Sequence, residues 1–495
     1  MSALDPIALQ VLTGALRAAC EEMGAVLIRS AHSPNIKERR DCSTALFDPA
    51  GGMVMQAEHI PVHLGAMPAA VAAVAHHPQE PERSWILNDP FAGGTHLPDI
   101  TVITPAFNAD AVLLGFAATR AHHADVGGPT PGSMPADSTT LAEEGVVIPP
   151  SIITPQLIDE LVAQMRRPDQ RRADLRAQLA ANRIGATRLA EIAGRIGAQE
   201  LQAATAEVAA YAERRMRSCL RALPDGTRHA TDVLEATEGD LELRLAATVS
   251  GDALVLDFSG SAGQHAGNLN APLAVTVSAC LFAVRVLTDP DIPPSSGALR
   301  PVTVIAPEGS LLNARPGAAV VAGNVETSSR VADLVLAAFS RALGQGTMNN
   351  LTLGTEEFTY YETLGGGQGA CPDAAGPSAV HVAMSNTLNT PIEALELEYP
   401  LRVRAYGVRR GSGGNGRHRG GDGVVRELEA LEPMAYSLIT ERRRHAPPGA
   451  AGGHPGATGR NLLNGAELES KSRGVLAPGD RLRLETPGGG GHGAP

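Results

Sequence analysis

Three short stretches in the first quarter of the chain carry side chains that bind metals and move protons. They are Glu58-His59-Ile60-Pro61-Val62-His63, Gly93-Gly94-Thr95-His96-Leu97-Pro98-Asp99 and Arg120-Ala121-His122-His123-Ala124-Asp125. Imidazole and carboxylate recurring on segments broken by Gly and Pro are what a catalytic divalent metal requires. His96 and Asp99 form an H-x-x-D after two glycines, and Pro98 excludes a regular helix interior. Both side chains therefore stand on a rigid turn and can face one ion. His122 follows the apolar run 112–116, which reads as a strand returning to the same end of a sheet. Two imidazoles and one carboxylate leave coordination positions open for water or substrate. A set of hydrogen-bonded loop histidines has the same spacing, and the spacing names no metal.

His59 and His63 share one face if their segment is extended, because residues four apart have the same parity in a strand. Pro61 argues against the helical H-x-x-x-H zinc arrangement. The pair is expected to be buried and to orient other groups rather than to ligate directly. Other motif tests exclude chemistry. Residues 365–370 fit G-x-G-x-x-A loosely, but Cys371-Pro372-Asp373 follows where a helix should open. The sequence has no G-x-x-x-x-G-K-[ST], so ATP-driven chemistry would need a nucleotide site supplied from elsewhere. There is no G-x-S-x-G nucleophile elbow. The run 409–421 is rich in Arg and Gly but has no aromatic residue for base stacking, and reads as a structured loop. Glu441-Arg442-Arg443-Arg444-His445, just before Pro447-Pro448-Gly449, reads as a solvated turn.

The elements that must position these groups follow from periodicity. Ile7, Val11, Leu12, Leu16, Ala19, Met23, Val26 and Leu27 recur mostly at three- and four-residue steps and predict a helix from Pro6 to about Ser30. Residues 40–150 turn loop- and strand-like, with apolar runs at 45–47 and 102–103 between Gly, Pro and Asp clusters. Residues 154–223 predict two or three helices. A hairpin is expected at 241–258 with Ser250-Gly251-Asp252 between its strands. A helix, a Pro-rich loop (289–297), a strand (302–305) and a second helix (327–343) follow. Beyond 364 strands are expected at 379–384 and 423–431, and residues 486–495, almost all Gly and Pro, are expected to be disordered.

Composition narrows the class. A chain of 495 residues is too long for one hydrophobic core. Its net charge of −12 excludes a general nucleic-acid binder. Five scattered cysteines without a C-x-x-C favour neither a disulfide framework nor a thiolate zinc site. No basic leader precedes Pro6 and no apolar run reaches the ~20 residues of a membrane span. The expectation is a soluble, cytoplasmic protein.

Several segments together carry a family resemblance. Ser33-Pro34-Asn35-Ile36-Lys37-Glu38-Arg39-Arg40-Asp41, His59-Ile60-Pro61-Val62-His63-Leu64-Gly65, Asn88-Asp89-Pro90-Phe91 with the 93–99 stretch, and Ala121-His122-His123-Ala124-Asp125-Val126-Gly127-Gly128 resemble the hydantoinase B/oxoprolinase family. Gly323-Asn324-Val325-Glu326-Thr327, Asn386-Thr387-Leu388-Asn389-Thr390-Pro391-Ile392-Glu393 and the 412–421 run agree, in order along the whole chain. Gly411 and Ser295-Ser296-Gly297 depart from the family's usual acidic residue and Asn-Glu-Gly. The resemblance implies a B-type chain working with an A-type, actin-like ATPase subunit that holds ATP and activates a lactam or imide carbonyl. It also implies a divalent metal (Zn, Mn or Fe) on His96, Asp99 and His122, the same three residues chosen above.

The expected fold is mixed α/β and multidomain. An N-terminal metal-bearing lobe (1–150) precedes a helical insertion (151–223), an α/β central region (224–363), a Gly-rich, β-containing C-terminal lobe (364–485) and the tail. The expected function is the B-type component of an ATP-dependent cyclic-amide hydrolase acting on 5-oxoproline or a hydantoin within a hetero-oligomer. His59, His63, Asp41 and Asp125 would give acid/base or orienting support. A component of an ATP-dependent ketone carboxylase and a non-catalytic scaffold for the ATPase subunit remain the alternatives.

Overall fold

The structure, a computed structural model, describes residues 5–495 except His59, and Glu58 in its backbone alone. The role expected of His59 and the reading of residues 1–4 lie outside the described residues.

Helix α1 (Pro6–Ser30) forms where the apolar spacing placed it. Asp5 caps it, with Oδ1 accepting from the amides of Ile7 at 2.8 Å and Ala8 at 2.9 Å. Pro6 sits in the first turn, where an N–H would have no helical partner anyway. Leu9, Leu12, Leu16, Cys20, Met23 and Leu27 make the buried stripe. A single turn, α2 (Pro34–Lys37), leads into the first sheet.

That sheet contains β1 (Cys42–Phe47), β2 (Met53–Glu58), β3 (Trp85–Leu87), β4 (Asp99–Phe107), β5 (Leu113–His122) and β6 (Ser151–Ile152). The strands are antiparallel in the order β2-β1-β5-β4-β3-β6. Helix α3 (His63–Ala75) covers one face over Ala45, Phe47, Phe116 and Ala118. Helices α4 (Pro155–Val162), α5 (Pro168–Ile196) and α6 (Ala198–Arg221) account for the three-helix reading of 154–223. Of these, α5 and α6 join α1 over Leu46, Ala117 and Ala121 on the opposite face. With both faces covered, β1 is buried along its whole length instead of alternating. Helix α5 packs closely at Gly185, where a Cβ would meet Met23 Sδ at 2.4 Å and Ala117 Cβ at 2.9 Å.

The central region is built on β7 (Gly226–Ala236), β8 (Gly239–Ser250), β9 (Ala253–Asp257) and β10 (Val302–Ile305), ordered β10-β9-β8-β7. The expected hairpin is present, with Ser250 paired to Ala253. Strands β9 and β10 are parallel, and α7 (Leu273–Leu287) and α8 (Ser296–Leu299) lie in their crossover. A π-helical turn (Gly323–Thr327) opens α9 (Ser328–Ala338), which packs on β7 and β8 and ends short of the expected 343.

Two sheets complete the chain. One holds β11 (Asn350–Gly354) and β12 (Thr359–Glu362); after α10 (Ile392–Glu398) the other begins with β13 (Leu401–Arg409) and β14 (Gly423–Ala430). The later strands are β15 (Met434–Ile439), β16 (Arg460–Leu463), β17 (Ala466–Leu468), β18 (Lys471–Leu476) and β19 (Arg481–Glu485). Their orders are β12-β11-β15-β18 and β13-β14-β19-β16-β17. The fold is therefore mixed α/β and multidomain, as expected. Among the described residues no helix is long and apolar enough to cross a membrane.

Three expectations are corrected. Residues 379–384 form no strand and contribute one bridge, Val380 to Gly366. The 441–445 run is not a solvated turn: Glu441 and Arg442 are buried. Arg442 Nη2 lies 2.6 Å from Asp232 and 3.1 Å from Asp333, and Glu441 pairs with Arg330 and Lys471. The tail is ordered by its glycines. The amides of Gly489, Gly490 and Gly491 donate to the carbonyls of Gly421, Leu343 and His454, so the buried backbone is satisfied by other Gly-rich segments. A Cβ on Gly489 would stand 2.1 Å from Gln368 O, so only a chain without side chains can approach this closely.

Candidate metal centre

The turn at 93–98 enters β4, and Asp99 is its first residue. Gly93 has φ 98°, and a Cβ on Gly94 would meet Asn88 O at 2.3 Å, so both glycines are required by the path of the turn. Arg120 on β5 holds the turn from beneath, donating from Nη2 to Gly93 O at 2.8 Å. Antiparallel pairing sets Asp99 opposite His122, the last residue of β5. Residues paired this way project side by side from the same face. His96, Asp99 and His122 are brought together, each offering a ligand atom within 4.8 Å of the others.

Two more expected residues join them. His63 is the first residue of α3, not part of an extended segment, which corrects the face-sharing argument for His59 and His63. The helix start aims its Nε2 at Asp99 Oδ2, 3.4 Å away, while Nδ1 contacts Ser43 Oγ at 3.0 Å. Asp41 precedes β1 and accepts the His122 amide on its own carbonyl at 3.0 Å. Asp41, His63 and Asp99 form a second set of ligand atoms within 4.8 Å of one another.

All five side chains line one narrow cavity. Its donor atoms are unsatisfied. His96 Nδ1, Asp99 Oδ1 and His122 Nε2 are buried without a hydrogen-bond partner, and the Nε2 atoms of His63 and His96 have only an ion-pair approach to Asp99 Oδ2, at 3.4 and 3.3 Å. Buried polar atoms are rarely left so, and hydrogen-bonded loop histidines would not be. The outer contacts of the ligands are in place: Thr95 Oγ1 donates to Asp99 Oδ2 at 2.6 Å, Asn35 Nδ2 meets His122 Nδ1 at 3.1 Å, and His122 stacks on Tyr361. Such contacts orient the atoms that face an ion. The residues present fit a divalent metal of the Zn, Mn or Fe kind, which takes imidazole and carboxylate together.

Protonation states agree. Burial holds the His63 imidazole below its ordinary value and that of His122 well below, in both cases keeping the ring neutral. Burial opposes ionisation of Asp99, but His96 and His63 override it and hold the carboxyl well below the usual range. Neutral imidazole and carboxylate are the forms that bind metal. Asp41 is pushed up to about 7, by burial first, against the pull of Arg39 and with the Asp99 charge adding to the rise.

The remaining expected residue is not brought in. Asp125 accepts from the amides of Gly127, Gly132 and Arg166 and from Arg166 Nη1, and so fastens a loop outside the cavity. Asp125 is not among the residues that line the cavity. His123 points instead to Gln178 on α5, at 3.0 Å.

Sequence reasoning assigned no role to Asn35, Tyr361, Asn324 or Ser385, which complete the cavity and its supports. The only signal was that Asn35 and Asn324 lie in segments quoted for the resemblance.

The hydantoinase B/oxoprolinase family model matches residues 5–495. The chain belongs to the hydantoinase B/oxoprolinase family. It is 40% identical to 5-oxoprolinase 1 of Arabidopsis thaliana over 99% of its own length and 42% of that protein. It thus spans about two fifths of the length of the first curated relatives it matches. A Pseudomonas sp. (strain NS671) protein, named for the B-type part of a D-/L-hydantoinase, is 30% identical over 99% of this chain and 90% of its own. Among solved structures, ATP-dependent caprolactamase from Pseudomonas jessenii superposes with a TM-score of 0.93 at 27% identity, covering 100% of this chain and 92% of that one. In this family member the candidate ligand atoms come from the start of α3, the turn before β4 and its first residue, the end of β5 and the residue before β1, and residues 324–325 and 384–387 also line the cavity.

Proposed function

We propose that this chain is the B-type component of an ATP-dependent cyclic-amide hydrolase that opens 5-oxoproline or a hydantoin ring, with ATP held by an A-type ATPase subunit. The observation that carries the reading is the set of buried ligand atoms converging on Asp99 at one cavity. The similar proteins named for oxoproline, hydantoin and lactam ring opening support the substrate class. The missing phosphate loop supports a nucleotide site outside this sequence.

His96, Asp99 and His122 would hold a divalent metal, which supplies Lewis-acid polarisation of a carbonyl and a lowered pKa for water. The chain's own residues then have distinct tasks. Asp99 carries the anionic charge of the site, and Thr95 orients it. His63, anchored through Ser43, stands beside it as a neutral imidazole. Asp41, with a carboxyl near pKa 7, is matched to take a proton from the attacking water and return it to the ring nitrogen as the C–N bond breaks. His59 keeps its proposed acid/base role. A resonance-stabilised amide is a slow substrate; phosphorylation of its carbonyl oxygen by the partner breaks that resonance and opens the carbon to water. C–N cleavage then leaves an acyl phosphate, and a second water releases inorganic phosphate and the ring-opened acid.

The test is purification of the chain with whatever co-purifies, followed by ADP release and ring opening with 5-oxoproline and hydantoins in the absence of bicarbonate. Amide-stimulated ADP release coupled to ring opening is expected. Product formation only from a ketone with bicarbonate would overturn the reading in favour of the carboxylase, and unaltered activity after substitution of all three ligands would overturn it in favour of the scaffold.

A further inference from the structure

One polar side chain lining the metal cavity has an acceptor without a partner. Asn324 is 3% exposed, yet among the described residues its Oδ1 finds no hydrogen-bond partner. It lies on the π-helical turn Gly323–Thr327, a wound segment rarely kept without a local reason. The backbone there is pinned. Gly323 N donates to Asn268 O at 2.9 Å, Asn324 O accepts from Ser328 Oγ at 2.6 Å, and a Cβ on Gly323 would stand 1.8 Å from Asn270 O. The carboxamide thus lines the same cavity as His96, Asp99 and His122, with its Oδ1 unspent.

A primary carboxamide presents a donor and an acceptor side by side. Its complement is an amide whose N–H and C=O lie on the same side. Open-chain secondary amides are trans and point those groups in opposite directions. Small-ring amides are locked cis and present them together. A cis amide can therefore make two parallel hydrogen bonds to Asn324 and still turn the second lone pair of its carbonyl toward the ligand wall.

We infer that Asn324 is the group that recognises the substrate's ring amide, Oδ1 accepting the ring N–H and Nδ2 donating to the ring carbonyl. This rests on the cyclic-amide reading above and narrows it to rings that carry hydrogen on the nitrogen of the scissile bond. A buried carboxamide left unpaired by a ligand that cannot meet it discriminates more strongly than a missing apolar contact.

The experiment is binding without turnover, on the Zn- or Mn-loaded protein together with any co-purifying partner. The probes are 2-pyrrolidinone, 1-methyl-2-pyrrolidinone and open-chain N-methylacetamide, followed by calorimetry. The unaltered protein should bind 2-pyrrolidinone on the order of tenfold more tightly than either other probe, the value of the one neutral hydrogen bond that each of those probes forfeits. Asn324→Leu should erase that preference while retaining its metal, and Asn324→Ser should reduce it. Equal binding of the two lactams by the unaltered protein, binding of neither, or a preference that survives Asn324→Leu would overturn the inference. Loss of metal from Asn324→Leu would also overturn it, because the carboxamide would then be a ligand. ATP-coupled ring opening without the N–H preference would remove this inference and leave the proposed function standing. The preference without ring opening would do the reverse.

Discussion

The imidazole of His122 lies face to face with the ring of Tyr361, their centroids 4.7 Å apart and their planes within 7° of parallel. The tyrosine is fixed in turn, its hydroxyl donating to Asn350 Oδ1 at 2.6 Å and the Arg39 guanidinium lying 4.6 Å from its ring. A ligand ring held on one face by stacking and at Nδ1 by Asn35 has little freedom to turn away from an ion. Tyr361→Ala is expected to lower metal affinity by about tenfold to a hundredfold, the usual cost of losing a support of this kind. Tyr361→Phe keeps the stack, so it should cost about 1 kcal/mol of stability and leave metal affinity within a few-fold. Metal titrations and denaturant melts of the two variants check both.

Asp125 separates structure from chemistry. Its carboxylate is buried and paired with Arg166 at 3.2 Å. Removing one partner of a fully buried pair costs about 3–5 kcal/mol, and because Arg166 is only part-buried the scale here is about 1–3 kcal/mol. Asp125→Ala should lose stability on that scale while the folded protein keeps its metal. Metal loss without loss of stability would place Asp125 in the centre after all.

The legible part of the site was the part written in local chain chemistry. Gly93, Gly94 and Pro98 announce a rigid turn around His96 and Asp99, and the apolar run before His122 announces the strand that returns beside them. His63 was recognised as a residue but not its geometry, because a helix beginning at a histidine just after Pro61 leaves the same residues as an extended segment would. Asn324 and Tyr361 reach the cavity from more than 200 residues beyond His122, through packing that no local spacing encodes. The tail failed for a different reason. Gly and Pro lower the drive to bury side chains, but here glycine is what allows backbones to meet.

That reading of the tail can be checked. Gly489→Ala puts a Cβ 2.1 Å from Gln368 O, and the clash is with backbone, which cannot swing aside. A loss of about 3 kcal/mol or more is expected, as for other strained or overpacked sites. A chain shortened to residue 486 should melt earlier still. Unchanged melting of both would return the tail to disorder.

Burial of His381 holds its imidazole down to about 4, against an unfolded value near 6.5. With the folded value depressed, the unfolded chain binds the proton first. The contribution of His381 to stability is complete above about pH 6.5 and is lost as the pH falls toward 4. The slope for one such group is about 1.4 kcal/mol per pH unit. Glu326 and Asp333 act oppositely, since burial raises each to about 8 and their contribution is lost as the pH rises toward that value. The difference between the unaltered protein and His381→Gln isolates the histidine. Urea melts at pH 4.5, 5.5 and 6.5 should show the unaltered protein losing stability relative to the variant by about that slope, and parallel curves would contradict it.

The most direct test of the account is the metal content of the purified protein by elemental analysis, beside that of Asp99→Ala. Asp99 is the one residue shared by both sets of converging ligand atoms. One equivalent of a divalent transition metal per chain in the unaltered protein, absent from a folded Asp99→Ala, is the predicted result. An equivalent retained by folded Asp99→Ala, or an unaltered protein that drives amide-stimulated ADP release with no metal bound, would contradict it.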